Sequence, residues 1–328
     1  MVSYIQLPIP LTIIIMSRMK SLLLVSLLFL LSWNATSQDS IQFLHEWKPG
    51  EKLSFRFSRL KSVYSQDTLY STSSFIYDVT LRVNRVTADE CLMELSYSGR
   101  TKDYQEFKKA PANGFVGTAI ASFARELYAF KSLKIIYTID RTGAFKEIKN
   151  GREVKEYISS ALDAFQRDQN VSRDFKNAVE QFGPSFLSDD FVLYSFLLEL
   201  HAFHLAYGTK WAMGKQTIEI EMPNPLNGEP LPGILTTELK KEQKRARSSA
   251  TYELVMQQEI DSDKMTKILK DKITDTYQKI NKPNPGTAPA ESTLIYSYTI
   301  VDELVKNVHV TKRVNSAGWR ATEQYILE

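Results

Sequence analysis

The sequence predicts an α+β protein in which an antiparallel sheet packs against helices. Three segments near the N-terminus alternate apolar and polar residues, which is typical of strands with one covered face. In the middle of the chain the apolar residues recur every three or four positions, which is typical of amphipathic helices. Because strands mostly follow strands along the chain, we expect antiparallel pairing.

The N-terminal strands lie within residues 45–100. Leu53, Phe55 and Phe57 begin an alternating run, and Phe75 to Val83 and Cys91 to Tyr97 repeat the pattern. Residues 115–130, which mix small and apolar side chains, predict a short helix.

A hairpin follows. Leu133 to Asp140 and Ala144 to Ile148 are the predicted strands, and Arg141-Thr142-Gly143 is the turn between them.

Residues 150–207 predict three helices. The first has an apolar stripe from Val154 to Phe165, and the second is a short face from Phe175 to Phe182. The third runs from Phe191 to Tyr207 and is apolar on most sides. A helix of this kind is buried or lines an apolar cavity.

The C-terminal part returns to strands. Residues 208–261 predict three strands, and residues 262–280 predict an amphipathic helix. The chain closes with predicted strands Leu294 to Leu304, Val308 to Val314 and Trp319 to Leu327.

Composition excludes several classes of function. With 328 residues, 43% of them hydrophobic, the chain has an ordinary globular composition. Its single cysteine excludes a disulfide framework, and its net charge of +3 is too small to indicate nucleic-acid binding. The sequence contains no glycine-rich phosphate loop and no common hydrolase motif. We therefore predict no cofactor and no catalytic residue, and we favour a protein that is not an enzyme.

The N-terminus has the pattern of an export signal. Arg18 and Lys20 precede the apolar run Leu22 to Trp33, and small residues such as Ala35 follow before Gln38. The run is too short for a confident membrane span, which needs about 20 residues.

We therefore expect residues 1–37 to be a cleaved signal peptide, with a start codon that was assigned too far upstream. Residues 38–328 would then form a single α+β domain without a stable membrane span. The mature protein would be periplasmic or secreted.

Candidate ligand-binding residues come from the third helix. If that helix lines an apolar groove, Tyr194, Leu198, His201 and Phe203 are the predicted lining residues, although a filled core made of the same side chains is the favoured alternative. His201 and His204 lie three positions apart on one helical face, within reach of one metal ion. Buried histidines with hydrogen-bond partners are the favoured alternative, so no metal site is predicted.

Two further features have alternative interpretations. Cys91 is a reactive thiol or, as we favour, a small buried hydrophobic residue in a strand. The basic connection that follows Lys240 is a headgroup-binding patch or, as we favour, a solvated hairpin tip.

Several segments carry a resemblance to known proteins. The strand start at Trp47-Lys48-Pro49-Gly50, the hairpin from Tyr137 to Gly143 and the segment Trp211-Ala212-Met213-Gly214 are similar to uncharacterised secreted proteins of Bacteroidetes. Their layout resembles the half-barrel of periplasmic lipoprotein carriers of the LolA/LolB type. The resemblance implies a large curved antiparallel sheet covered by several helices, with an apolar cavity for acyl chains.

Three functions follow as hypotheses. The first is an exported, non-enzymatic protein that binds a lipid or another apolar small molecule in a groove between sheet and helices. The second is a structural or interaction protein of the envelope, with envelope proteins as partners and a filled core. The third is a hydrolase assisted by a metal on His201 and His204.

Overall fold

The fold is taken from a computed structural model. It describes residues 39–65, 68–106, 133–167, 176, 187–189, 192–193, 197–222, 230–242, 250–267, 270–271, 290–316 and 319–328.

The described chain is dominated by thirteen strands. They are β1 (Ser40–Gln42), β2 (Lys52–Ser65), β3 (Thr68–Val86), β4 (Glu90–Glu106), β5 (Ile135–Asp140), β6 (Phe145–Ile148), β7 (Lys210–Ala212), β8 (Gly214–Met222), β9 (Leu231–Lys241), β10 (Thr251–Ile260), β11 (Ala290–Val301), β12 (Leu304–Ser316) and β13 (Trp319–Leu327).

Eleven of these strands form one open antiparallel sheet in the order β6-β5-β4-β3-β2-β13-β12-β11-β10-β9-β8. The remaining two, β1 and β7, form a small sheet of their own. Each half of the large sheet is a meander, because neighbours in sequence are neighbours in space. The two meanders meet where the last strand, β13, pairs with β2.

Two helices have defined bounds, α1 (Gly151–Arg167) and α2 (Leu198–His204). Residues 262–267 and 270–271 are also helical. The predicted helix at 115–130 lies outside the described residues, and of the one at 175–182 only residue 176 is described, as helical. The prediction of a sheet covered by several helices is therefore confirmed only in part, and the half-barrel layout stays a prediction.

Side chains alternate between two faces of the sheet, as the sequence pattern predicts. Phe75, Tyr77 and Val79 of β3 are buried, whereas Ile76 and Asp78 between them are exposed. We call the face that carries Tyr77 the inner face; cross-strand partners share a face, so the strand register extends this assignment across the sheet. The inner face and α2 supply much of the buried core, including the fully buried Tyr137, Tyr296, Met93, Leu95, Leu200 and Phe203.

One tyrosine after α2 shows that the sheet bends. A Cβ added to Gly143, in the β5–β6 turn, would lie 3.0 Å from the ring of Tyr207. The hydroxyl of the same Tyr207 accepts a hydrogen bond from the amide of Val305 on β12, at 3.0 Å. Strands β5 and β12 are five positions apart in the sheet, which would be about 24 Å in a flat sheet. A tyrosine side chain is much shorter than that, so the sheet curves around Tyr207.

The predicted β5–β6 hairpin is confirmed. Asp140 closes its turn, because one carboxylate oxygen accepts hydrogen bonds from the amides of Thr142 and Ala144 and from the Thr142 hydroxyl. Gly143 has φ +90°, a conformation that glycine adopts without strain.

The predicted boundary between the strands Leu294 to Leu304 and Val308 to Val314 was misplaced. The chain turns instead at Asp302 and Glu303, both with positive φ, so β12 begins at Leu304. A two-residue type I′ hairpin turn has positive φ at both central positions, where glycine and asparagine are the usual residues.

The predicted third helix was too long at both ends. Residues 192–193 have π-helical geometry, and α2 itself begins at Leu198 and ends at His204. Beyond its end, Gly208 has φ +79° and the Trp211 indole donates a hydrogen bond to the Ala206 carbonyl, at 2.8 Å. These contacts turn the chain into the short strand β7, which sequence reasoning missed.

Within the described part of the chain, every helix is too short or too polar to cross a membrane.

Candidate ligand-binding face

Burial on the inner face changes along the strands. The cross-strand row of Phe57, Leu327 and Val308 is buried. Three rows further along on this face, the aliphatic partners Val63, Ala321 and Val314 are only half-buried. The packed core therefore ends partway along the strands.

The half-buried region continues towards the edge strand β8. We call it the aliphatic strip and define it by the inner-face residues Val63, Val314, Leu294, Ile260, Leu235, Ile220 and Ile218. Ile218, at the edge, is 53% exposed. Apolar surface of this extent that remains accessible to solvent marks a place where another apolar group can bind.

Charged residues lie between the packed core and the aliphatic strip. The guanidinium of Arg59 contacts both carboxylate oxygens of Glu323 at 3.2 Å, and the Lys61 ammonium contacts one of them at 3.2 Å. The Tyr325 hydroxyl donates a hydrogen bond to the other oxygen, and the Arg59 guanidinium lies 5.2 Å from the centre of the Tyr325 ring. We call Arg59, Lys61, Lys312 and Glu323 the basic cluster.

The basic cluster holds Glu323 ionised. Burial alone would raise the pKa of this carboxyl, but Arg59, Lys61 and Lys312 and the hydrogen bond from Tyr325 hold the pKa well below its usual range. The Glu323 side chain is 13% exposed and those of Arg59 and Lys61 are 11% and 15% exposed, so these charges are mostly removed from water.

The strand register places the basic cluster directly beside the aliphatic strip. Lys61, Glu323 and Lys312 are successive cross-strand partners, and the next partner in the row is Leu294. Lys312 itself is exposed. A charged group and an apolar surface are therefore neighbours on one face of the sheet.

Helix α2 contributes a second buried carboxyl. Glu199 is 4% exposed, and burial raises its pKa to about 7. The Tyr97 hydroxyl donates a hydrogen bond to it at 2.5 Å, and Arg59 also favours its ionised form, but neither offsets the loss of water.

His204 on α2 is hydrogen-bonded at both ring nitrogens. Its Nδ1 lies 2.9 Å from the Gly143 carbonyl and its Nε2 lies 3.0 Å from the Tyr137 hydroxyl. A carbonyl can only accept, so Nδ1 carries the proton and Nε2 accepts from Tyr137. Burial lowers the pKa of His204 to about 4, which keeps the ring neutral.

These hydrogen bonds also affect whether His201 and His204 could bind a metal ion. A metal on His204 would have to displace one of these two hydrogen bonds. Burial lowers the pKa of His201 to about 4, and its ring packs edge-on against Tyr296. In the described ranges, no group of three or more His, Cys, Asp or Glu side chains comes together as a metal site.

The predicted ligand-binding residues fall in and around the packed core. Tyr194 lies outside the described residues. Leu198 is 8% exposed, and Phe203 is fully buried against the rings of Trp47 and Phe55. The ligand-binding role of Tyr194, Leu198, His201 and Phe203 stays a prediction.

Sequence reasoning missed the basic cluster, although a signal for it exists. In β2 the covered positions Leu53, Phe55 and Phe57 are followed, in the same alternation, by Arg59 and Lys61. Charged residues at positions that the period assigns to a covered face indicate either paired charges or a binding site. The partner Glu323 is 264 residues away from Arg59, so only the fold reveals the pairing.

Cys91 is buried, as predicted, and burial raises the pKa of its thiol. Residues 243–249, which include most of the basic connection, lie outside the described residues.

Comparisons with known proteins give little further information. No protein-family model matches the sequence, and no curated protein matches it. Among solved structures, the chain is similar to lipovitellin, in a structure that concerns lipid–protein interactions, with 11% identity and a TM-score of 0.39 over 86% of this chain and 25% of that chain. It is also similar to an outer membrane channel from Pseudomonas putida F1, with 8% identity and a TM-score of 0.16 over 88% of this chain and 98% of that chain. Both TM-scores are below 0.5, so neither similarity defines the fold or the function.

Proposed function

We propose that the protein is an exported, non-enzymatic protein that binds an amphipathic lipid on the inner face of its sheet. The acyl chain of the lipid lies on the aliphatic strip, beyond the packed core. The N-terminal pattern of residues 1–37 supports export to the periplasm or beyond.

The observation that carries this proposal is the change of burial along the inner face. If the inner face served only to form a core, its apolar residues would end where the packed core ends. Here each of β12, β11, β10, β9 and β8 adds an aliphatic side chain that is half-buried or exposed, with the polar Gln258 and Ser292 among them. Covering them with hydrocarbon gives about 0.8 kcal/mol for each methylene removed from water.

The size of the strip fits one acyl chain. From Lys312 on β12 to Ile218 on β8 the path crosses four strand spacings, or about 19 Å along the sheet. One leaflet of a bilayer core, and hence one ordinary acyl chain, is about 15 Å long.

The filled core around α2 favours a second candidate, the envelope interaction protein. Leu200, Ala202, Phe203 and His204 are all buried, so this helix packs as an ordinary core element. In that case the aliphatic strip would contact another protein.

Two isoleucines on neighbouring edge strands allow a matched test. Ile218 on β8 is 53% exposed on the inner face, and Ile234 on β9 is 45% exposed on the outer face. We expect Ile218→Glu to weaken binding of dodecyl maltoside at least tenfold by calorimetry, because it places a carboxylate on the acyl path. Ile234→Glu adds the same charge next to the same strands and should bind like the wild type.

Native mass spectrometry of the protein purified from its own envelope provides the complementary test. We expect a copurified lipid that is released on denaturation. A bare chain, together with equal binding by the two variants, would contradict lipid binding and support the interaction protein.

A further inference from the structure

We propose that the lipid bound on the aliphatic strip carries an anionic headgroup, a phosphate or a carboxylate, which binds at Lys61 and Lys312 of the basic cluster. This inference rests on the proposed function and adds the chemical class of the ligand. Its basis is the placement of excess positive charge at one end of an open apolar surface.

The first argument is the balance of charge. Three basic side chains, Arg59, Lys61 and Lys312, act on the single carboxylate of Glu323. Arg59 occupies both oxygens of that carboxylate, and Lys61 and the Tyr325 hydroxyl share them. One carboxylate cannot neutralise three cations, so the cluster is net positive.

The nearby helix does not supply the missing negative charge in full. Glu199 is the carboxyl on α2 that Arg59 affects, and its side chain is buried with a hydrogen bond from the Tyr97 hydroxyl. Among the described inner-face residues of β2, β12 and β13, Glu323 is the only acidic one. Excess charge that is mostly removed from water is unfavourable unless an anion joins it.

The second argument is geometric. Lys312 is exposed, so a headgroup can reach it, and its direct cross-strand partner is the strip residue Leu294. Val314, also in the strip, lies two positions further along β12 on the same face. An amphiphile with its anion at Lys312 therefore begins its chain on Leu294, and the same row reaches Leu235 and Ile218 beyond the half-buried Gln258.

The third argument concerns specificity. Ammonium groups are strong donors to phosphate and carboxylate oxygens, and charge-assisted hydrogen bonds are about twice as strong as neutral ones. A cationic headgroup at the same place would meet Arg59, Lys61 and Lys312 and would be repelled. The basic cluster thus favours a headgroup with negative charge, and the aliphatic strip supplies most of the affinity.

The test compares three amphiphiles that share one chain: dodecyl phosphate, dodecyl maltoside and dodecyltrimethylammonium. We expect the wild-type protein to bind dodecyl phosphate at least tenfold more tightly than dodecyltrimethylammonium, with dodecyl maltoside between them. Lys312→Gln should reduce the affinity for dodecyl phosphate several-fold and leave that for dodecyl maltoside unchanged.

Arg313 provides the matched control. It is the next residue on β12, is also exposed and lies on the outer face. Arg313→Gln removes the same charge from the protein and should leave all three affinities unchanged. Lys61→Gln is a second variant within the cluster and should act like Lys312→Gln.

The outcomes separate this inference from the proposed function. If dodecyl maltoside binds but phosphate gives no advantage, or if Arg313→Gln weakens phosphate binding as much as Lys312→Gln, the headgroup assignment is wrong and lipid binding remains. If none of the amphiphiles binds, both are wrong. Inorganic phosphate is tested alone, and binding as tight as that of dodecyl phosphate would show a free-anion site instead.

Discussion

Two glutamates that are mostly removed from water, Glu199 on α2 and Glu323 on the inner face of the sheet, have opposite pKa shifts. Glu199 lies on α2 in the packed core, where burial raises its pKa to about 7. Glu323 lies on β13 in the basic cluster, where three cations and a tyrosine hydroxyl hold its pKa well below the usual range. Both side chains are removed from water, so burial alone does not determine the charge of a carboxyl.

The two opposite pKa shifts show which interactions surround Glu199 and which surround Glu323. Around Glu199 the protein provides mainly apolar contact and a neutral donor, as expected for a region that packs. Around Glu323 it provides more positive charge than one carboxylate needs. An exposed lysine and half-buried aliphatic side chains adjoin the second region. This is why we place the binding site at the basic cluster.

Removing the charge of Glu323 should have the largest effect. Glu323→Gln leaves Arg59 and Lys61 mostly buried without their carboxylate, and breaking such a pair costs about 4 kcal/mol. We expect a loss of that size in urea unfolding at pH 7.5.

Glu219→Gln is the control for this substitution, because Glu219 is exposed on the outer face of β8. It should change the free energy of unfolding by less than about 0.5 kcal/mol. A similar small change for Glu323→Gln would mean that the basic cluster is not a stabilising ion-pair network.

Glu199→Gln should stabilise the folded protein, whereas Glu323→Gln should destabilise it. The folded-state pKa is raised from 4.5 to about 7, so the folded protein binds this proton more tightly than the unfolded chain. Its contribution to stability is present below pH 4.5 and is lost as pH rises to 7, by about 3 kcal/mol. Glu199→Gln cannot ionise, so we expect it to gain about 3 kcal/mol relative to wild type between pH 4.5 and pH 8.

Urea unfolding at several pH values measures this gain. The titrating histidines are present in both proteins, so their effect cancels in the difference. A difference between Glu199→Gln and wild type that does not vary with pH would contradict the assigned environment of Glu199.

His204 extends the comparison to a basic group in the same packed region as Glu199. His204→Phe leaves the Tyr137 hydroxyl and the Gly143 carbonyl without their partner, which should cost about 2 kcal/mol at pH 7.5. The folded pKa of about 4 lies below the ordinary histidine pKa of 6.5, so wild type loses stability as pH falls from 6.5 to 4. Phenylalanine does not titrate, and the deficit of the variant should therefore shrink as the pH is lowered.

His309→Phe is the control, since His309 is exposed on the outer face of β12. We expect it to unfold like wild type at each pH. A deficit of His204→Phe that stays constant from pH 7.5 to pH 4.5 would show that His204 is not held neutral.

Much of the fold could be predicted because it depends on local periodicity. The alternation of Phe55 and Phe57, or of Tyr77 and Val79, predicts both a strand and its covered face. The chemistry of the Arg141–Gly143 turn likewise predicts a hairpin. The turn at Asp302 and Glu303 was missed because these residues adopt positive φ without the glycine that usually signals it.

The candidate site could be predicted only in part. The helix containing Leu198, His201 and Phe203 was correctly identified as apolar and buried, but whether it binds ligand stays a prediction. The charged residues of β2 were visible as exceptions to the apolar period, yet their meaning depended on Glu323 and Lys312, which come from the other end of the chain.

The sequence by itself determined the class of secondary structure, the order of most strands and which side chains of each strand face inward. These properties depend on residues a few positions apart. The tertiary structure decided that β13 pairs with β2, that the inner face extends beyond the packed core, and that Glu199 and Glu323 differ in charge. Pairing between distant strands and the electrostatic environment of a carboxyl depend on distances through space, which no spacing along the chain specifies.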